Sequence, residues 1–554
     1  MTNRTTTGKP SRLARWWPWL AAVLSGVLLI LSFPPADVGG IAFVALVPLL
    51  MAVWIPQGGK RRGLRHFILG YVAGLVFFTT TFSWFAELAP LFHAPIINGL
   101  PLLFAAYLAL YPAVWAWLAG WIGSTQFRPL PPRDPLAPFE RPLLLQSSRN
   151  LGIAFFCAAS WVSLEWARGW MLSGFGWNKL GLAMHAELPL IQIAEFTGVG
   201  GVSFLLVMCN VILLITVLRV RAEIGRTRLR PHFDFALTAA LVVLAFGYGM
   251  RVLIRAERTP VETVSLSVAA VQPNISQQDK FDMERWQWIF ERMQFLSDVA
   301  AAGGPDLLLW PEASVPGGML SDAATLAFMM ERAALVPAMM VGTDDMNRGG
   351  AGEDHNSAAF MQAGQKDPQF YDKRRLVPFG EYLPLRPLLG WALGSLVPGD
   401  FKPGKAPGVF SLKKPALKLA PLICFEDTRG DVTREQVQLG AHLLVNLTND
   451  GWFGHTAELD QHLNDAVFRC IENRRPMVRC TNNGITASLD SFGRVDRWLE
   501  PFTEGWKIQP VSVPTGLRMT FYTRHGEVFA VACTALSVLI FALLTASRRA
   551  TRRP

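Results

Sequence analysis

The sequence predicts an α-helical membrane bundle carrying an inserted α/β domain. Three observations point there. Asp, Glu, Lys and Arg make up only 17% of 554 residues, where a soluble domain carries about a quarter. The deficit is local: long uncharged runs fill 16–256 and return at 526–547, while 257–525 has ordinary globular composition. Within that middle segment strand and helix patterns alternate, as they do in layered α/β domains. The expected organisation is seven spans over 1–256, a catalytic domain over 257–525, and an eighth span with a basic tail over 526–554.

The spans follow in order. Residues 1–15 are polar and basic, with Arg4, Lys9, Arg12 and Arg15. The apolar run after them is too long for a signal peptide and closes at Pro34-Pro35, so it reads as an uncleaved first helix. Further runs at 38–56, 66–89, 96–123, 150–170, 190–218, 234–254 and 526–547 bring the expected total to eight. Each approaches the ~20 residues a bilayer requires.

Loop charge sets the expected orientation. Lys60, Arg61, Arg62 and Arg65 follow span two; Arg128, Arg133, Arg141 and Arg149 follow span four. Arg219, Arg221, Arg226, Arg228 and Arg230 follow span six, and Arg548, Arg549, Arg552 and Arg553 close the chain. The alternate loops at 34–37 and 90–95 hold no Lys or Arg. The positive-inside rule then places both termini in the cytoplasm and 257–525 on the outer side. Arg251, Arg255 and Arg258, at the outer end of span seven, run against the rule locally. The net charge of +10 is thus a topology signal and not a nucleic-acid footprint.

Two intramembrane features stand out. Glu165 and Arg168 share a helix face near the outer end of span five. The loop Ser173 to Lys179 that follows is aromatic and Gly-rich, and its Trp177 reads as an interface anchor.

In the middle segment, strands are expected at 264–271, 307–310, 339–343, 357–362, 417–424, 442–447 and 477–489. Helices are expected at 281–299, 321–335, 431–439 and 457–475. Several strands end on chemistry. Leu417 to Ile423 stops on Cys424, Phe425, Glu426 and Asp427. Leu307 to Trp310 leads to Pro311 and Glu312, and Tyr371-Asp372 leads to Lys373. A thiol at a rigid strand end suits nucleophilic catalysis if a base and a cation reach it. Six cysteines in so long a chain are no disulfide framework; Cys470 and Cys480 are the pair that an oxidising compartment would allow. His442, His455 and His462 show no ligand spacing with nearby Cys, and no metal site or cofactor is expected.

The order Glu312, Lys373, Cys424 resembles the nitrilase superfamily, whose sites use a Glu base, a Lys and a Cys nucleophile. The finer pattern resembles the apolipoprotein N-acyltransferase family. It comprises Trp310-Pro311-Glu312, Leu376 to Glu381, Asn449 to Gly454 and Thr481 to Thr486. The resemblance implies a four-layer α-β-β-α sandwich for 257–525 and an inner-membrane protein with a periplasmic catalytic domain. It implies a phospholipid acyl donor, a diacylglyceryl-cysteine apolipoprotein acceptor and a Cys424 thioester intermediate. Lys373 would support the thiolate and, with the backbone N–H of Phe425, the oxyanion. Glu381 and Glu426 match supporting positions. The chain departs from the family at Phe425, where Tyr is frequent, and at Phe281, where Trp is common. Two other readings remain open: a membrane-tethered amidase that gives its acyl group to water, and a transporter with an outer domain.

Overall fold

The computed structural model describes residues 12–55, 61–123, 143–224, 231–259, 261–320, 323–345, 353–394 and 399–550. The basic loops and tail that set orientation lie largely outside these, including Lys60, 124–142, 225–230 and 551–554.

Apolar helices fill both ends of the chain, at Arg12–Leu31, Val47–Trp54, Arg62–Thr81, Leu100–Leu108, Leu110–Gly123, Leu143–Arg168, Val199–Glu223, Phe233–Arg258 and Val528–Ala550. Among the described residues, five stretches are long and apolar enough to cross a membrane: Arg62–Thr81, Pro95–Gly123, Val199–Glu223, Phe233–Arg258 and Val528–Ala550. The expected run at 190–218 starts late because Gly198 breaks it. Its φ of +62° suits glycine, and a Cβ there would meet the Tyr522 ring at 2.8 Å. The uninterrupted helix begins one residue later, at Val199.

Between the helices lie two six-stranded sheets. Strands β1 (Thr263–Gln272), β2 (Leu307–Val315), β3 (Ala338–Asp345), β4 (His355–Gln362) and β5 (Gln369–Asp372) stand in sequence order in the first. The second holds β6 (Phe410–Leu412), β7 (Leu417–Ile423), β8 (Leu443–Thr448), β9 (Met477–Thr481), β10 (Ala487–Leu489) and β11 (Val495–Arg497). Strand β12 (Gly505–Pro514) returns to the first sheet, antiparallel to β1. Strands β1–β2–β3 and β7–β8–β9 pair in parallel.

Alternation along these strands builds four layers, α-β-β-α. Leu266, Val268, Ala270, Leu307 and Leu309 meet Leu419, Ile423, Leu443, Val445 and Cys480 between the sheets. The alternate residues Ala269, Val271, Leu308 and Trp310 pack on Ile289, Met293 and Leu296 of the helix Trp286–Ala302. On the far side, Ala420, Leu422 and Leu444 pack with Leu463, Val467 and Phe468 of the helix Glu458–Asn473, in one core continuous with the bundle. That helix lies between sheet and bundle, so its polar face is buried along with its apolar one.

The two parts meet through polar contacts. Trp84 and Trp177 donate Nε1 to Gln461 Oε1 at 3.2 and 3.0 Å. Arg429 donates to the Gly169 carbonyl at 2.7 Å, and Arg474 Nη1 to Gln192 Oε1 at 2.5 Å. Trp177, expected as an interface anchor, is only 4% exposed and belongs to this junction. Cys470 and Cys480, the candidate disulfide, are both free, and Cys480 Sγ points at the carbonyls of Val271 and Leu309.

Candidate active site

Two strand ends and one irregular strand converge. Glu312 sits in β2 just past Pro311, where pairing with β3 slips between Trp310 and Val315. Gly342 of β3 permits that approach, since a Cβ on it would meet Glu312 Cα at 2.5 Å. Lys373 follows β5 directly, and its N–H bonds the Asn356 carbonyl of β4 at 2.8 Å. Cys424 follows β7 and opens the tight turn Cys424–Thr428 at φ +47°, a left-handed conformation that a side chain rarely adopts. Such strain recurs where a fold must aim a reactive group.

The polar partners form a closed set. Lys373 is 1% exposed, and its Nζ donates to Glu312 Oε1 at 3.1 Å and to Glu381 Oε1 at 2.9 Å. Asn356 Nδ2 donates to the same two oxygens at 2.8 and 2.7 Å. The second oxygen of Glu312 accepts the Asn449 N–H at 3.0 Å, and that of Glu381 accepts the Val377 N–H at 2.7 Å. Lys280 donates to the carbonyls of Glu312 and Ala313 at 3.2 and 3.0 Å, bracing the turn behind the carboxylate.

Charge decides the resting state. Burial works against the Lys373 cation, but Glu312 and Glu381 outweigh it and hold the ammonium firmly protonated. Burial, then the Glu312 charge, pushes the Cys424 thiol well above its ordinary range, while Lys373 and a Thr448 hydrogen bond pull the other way. Cys424 is thus a half-buried neutral thiol within electrostatic reach of a carboxylate and an ammonium. It needs a base to become a nucleophile.

The supporting residues divide. Glu381 touches Lys373 directly. Glu426 does not; it is fully buried and takes the N–H of Arg374 at 2.7 Å, the N–H of Ile423 at 3.0 Å and the Tyr371 hydroxyl at 3.0 Å. It therefore ties the cysteine turn to the strand bearing Lys373. Phe425 is buried and stacks on Trp177, with rings 6.3 Å apart and 7° from parallel, seating the turn on the bundle.

A second network was not legible from spacing. His462 is buried, its Nε2 2.7 Å from Asp427 Oδ1 and its Nδ1 3.1 Å from Asp450 Oδ1. Asp427 belongs to the cysteine turn; Asp450 follows Asn449, whose N–H holds Glu312. The imidazole thus links the Cys424 turn to the loop that fixes the Glu312 carboxylate. Asp450, Glu458 and His462 place ligand atoms within 4.8 Å of one another. Both His462 nitrogens face carboxylates, Arg479 pairs with Asp427, and burial together with the Asp450 charge pushes the Glu458 carboxyl well above its ordinary range, so the remaining charges pair off as an ion network.

These groups set the pH dependence of stability. Burial raises Glu426, Asp465 and Glu472 to about 7, from ordinary values of 4.5, 3.8 and 4.5. The folded state therefore holds more protons than the unfolded one in that window, and stability falls as pH rises through it. Burial opposes the charge of His462, but Asp427 and Asp450 raise the imidazolium to about 10. Its contribution is complete below 6.5 and is lost as pH climbs toward 10. Thermal unfolding in detergent is expected to give a Tm that declines from about pH 5 to about pH 9. A Tm that rises across that range would contradict these protonation states.

Comparison with known proteins supplies context for the whole chain. Residues 25–212 match the family described as Apolipoprotein N-acyltransferase N-terminal domain, and residues 267–509 match Carbon-nitrogen hydrolase. An apolipoprotein N-acyltransferase from Geobacter metallireducens is 34% identical over 537 residues, 95% of each chain. One from Bradyrhizobium diazoefficiens is 31% identical over 563 residues, again 95% of each. Among solved structures, an amidase from Nesterenkonia sp. aligns at 17% identity and a TM-score of 0.36, over 49% of this chain and 96% of that one.

Proposed function

Because this chain belongs to the apolipoprotein N-acyltransferase family, we propose that it acylates the amino terminus of diacylglyceryl-cysteine lipoproteins through a thioester on Cys424. The buried Lys373 between Glu312 and Glu381, beside the left-handed turn at Cys424, carries this reading.

The chemistry proceeds in two halves. Glu312 takes the thiol proton as the sulfur attacks an ester carbonyl of a phospholipid. Lys373 and the Phe425 N–H stabilise the tetrahedral oxyanion. Collapse breaks the ester C–O bond, and Glu312 returns its proton to the leaving lysophospholipid oxygen. The lipoprotein amine then attacks the thioester while Glu312 accepts a proton from nitrogen. The second collapse releases the amide, and the thiolate recovers the proton.

Membrane placement fits these substrates. The reading takes eight spans, both termini in the cytoplasm and the catalytic domain at the outer face of the inner membrane, where both lipids reside. Its support is the basic-loop pattern and the apolar helices at both ends of the chain. The apolar segment 384–397 suits a lid that dips into lipid, and it lies partly outside the described residues. Its described part exposes Leu385, Leu388 and Trp391, the last at 89%.

The test is intact mass after incubation with phospholipid alone. One added fatty acyl group, mapped to the Cys424 peptide and removed by hydroxylamine, is expected. Adding lipopeptide should move that group to the peptide amine. Release as free acid, with no N-acyl peptide, would favour a hydrolase.

A further inference from the structure

The helix Phe233–Arg258 runs almost directly into β1 and so ends beside the catalytic domain. Its rotation is locked. Ala245, Gly249 and Leu253 face inward, and a Cβ on Gly249 would meet the Pro189 carbonyl oxygen at 1.7 Å. The opposite face is thereby forced outward, and only 17% of the apolar window of this helix is buried.

On that outer face Gly247, Met250, Arg251, Ile254, Arg255 and Arg258 are exposed along one stripe of the helix. Met250 and Ile254 interleave with the arginines on that stripe, and nothing lies within 4 Å of a Cβ on Gly247. The three arginines stand about one turn apart at the end beside the catalytic domain. Among the described residues none of them has an acidic partner. Glu257, in the same turn, binds Arg494 at 2.8 Å instead.

We propose that this face binds an anionic phospholipid, its phosphate across Arg251, Arg255 and Arg258 and one acyl chain along Gly247, Met250 and Ile254. Like charges one turn apart repel unless a counter-charge joins them. Guanidinium groups match phosphate oxygens in paired hydrogen bonds. The exposed apolar stripe that continues along the helix from the charges favours a lipid over a free phosphate. The position also accounts for three arginines on the side that the positive-inside rule leaves poor in them. This inference rests on the outer-leaflet reading above, and it supplies a second lipid contact apart from the Cys424 pocket.

Full-length protein in nanodiscs of zwitterionic phospholipid, with and without phosphatidylglycerol, provides the test. Each arginine near an anionic surface contributes about 5-fold in affinity, so three give about 100-fold. Native mass spectrometry is expected to find phosphatidylglycerol retained by the wild type. The Arg251→Gln/Arg255→Gln/Arg258→Gln variant should retain it about 100-fold more weakly and Arg255→Gln alone about 5-fold more weakly. Acyl transfer in zwitterionic discs should be unchanged in both variants. Equal retention by wild type and triple variant would overturn the proposal, as would equal retention of both lipid classes by the wild type. Displacement of the lipid by glycerol phosphate at comparable concentration would overturn its acyl-chain part. Absence of the Cys424 adduct with phosphatidylglycerol still retained would sink the catalytic reading and leave this site standing.

Discussion

Cys424→Ala and Glu312→Gln are each expected to lower acyl transfer at least about 10³-fold, and the double variant is expected to lose no more than either alone. The thiol is held protonated by burial and by the neighbouring carboxylate, so sulfur becomes nucleophilic only as its proton leaves. Removing the sulfur or the proton acceptor therefore removes the same step, and effects of residues acting as a unit do not add. Glu312 offers a further check. All its recorded side-chain partners are donors: Lys373 Nζ, Asn356 Nδ2 and Asn449 N. A Gln amide must turn its own N–H₂ toward at least one of them, costing about 1–3 kcal/mol of stability as well. Rates must accordingly be read on protein shown to be folded. Acyl-enzyme formation followed by intact mass, and Cys424 alkylation by iodoacetamide, separate the steps. Glu312→Gln should retain an alkylatable cysteine that reacts slowly. A Glu312→Gln variant that acylates at the wild-type rate would remove the carboxylate from the proton-transfer role.

The parts of this site that were legible in the sequence are those whose signal is local. Lys373 and Cys424 each follow an apolar or aromatic strand and Glu312 follows the apolar run Leu307 to Trp310, a pattern visible within a dozen residues. Asn356 and His462 carry no such pattern, and Asn449, although it follows β8 and opens the motif Asn449 to Gly454, gives no local sign of its partner. Asn356 meets Glu312 across 44 residues and Asn449 meets it across 137. His462 sits on an amphipathic helix whose polar face would ordinarily be solvated; it is buried here because the bundle covers it. Trp177 is buried for the same reason, since an aromatic near a helix end has the pattern of an interface anchor until a domain packs upon it. Strand β12 escaped notice because Lys507, Gln509 and Pro510 interrupt its apolar pattern. As an edge strand it tolerates them, proline included.

Lys373→Met is the second large expected effect, and it separates catalysis from stability. The ammonium lies within 3.1 Å of Glu312 and 2.9 Å of Glu381, and it is almost wholly buried. Its removal leaves two carboxylates sharing only the Asn356 amide between them. Breaking a buried pair in this way costs about 3–5 kcal/mol, a large share of the 5–15 kcal/mol that typically holds a domain folded. Lys373→Met should therefore unfold at markedly lower temperature. Lys373→Met/Glu381→Gln removes one of the stranded charges and should recover most of that loss. Activity should not follow. Neither variant carries a cation to favour the Cys424 thiolate or the oxyanion, a loss of about 10²–10³-fold in rate. Thermal unfolding in detergent, measured beside the rate of acyl-enzyme formation, checks both halves. If the double variant regained speed along with stability, Lys373 would be a structural counter-ion for the two glutamates, and the oxyanion would have to be stabilised by other groups.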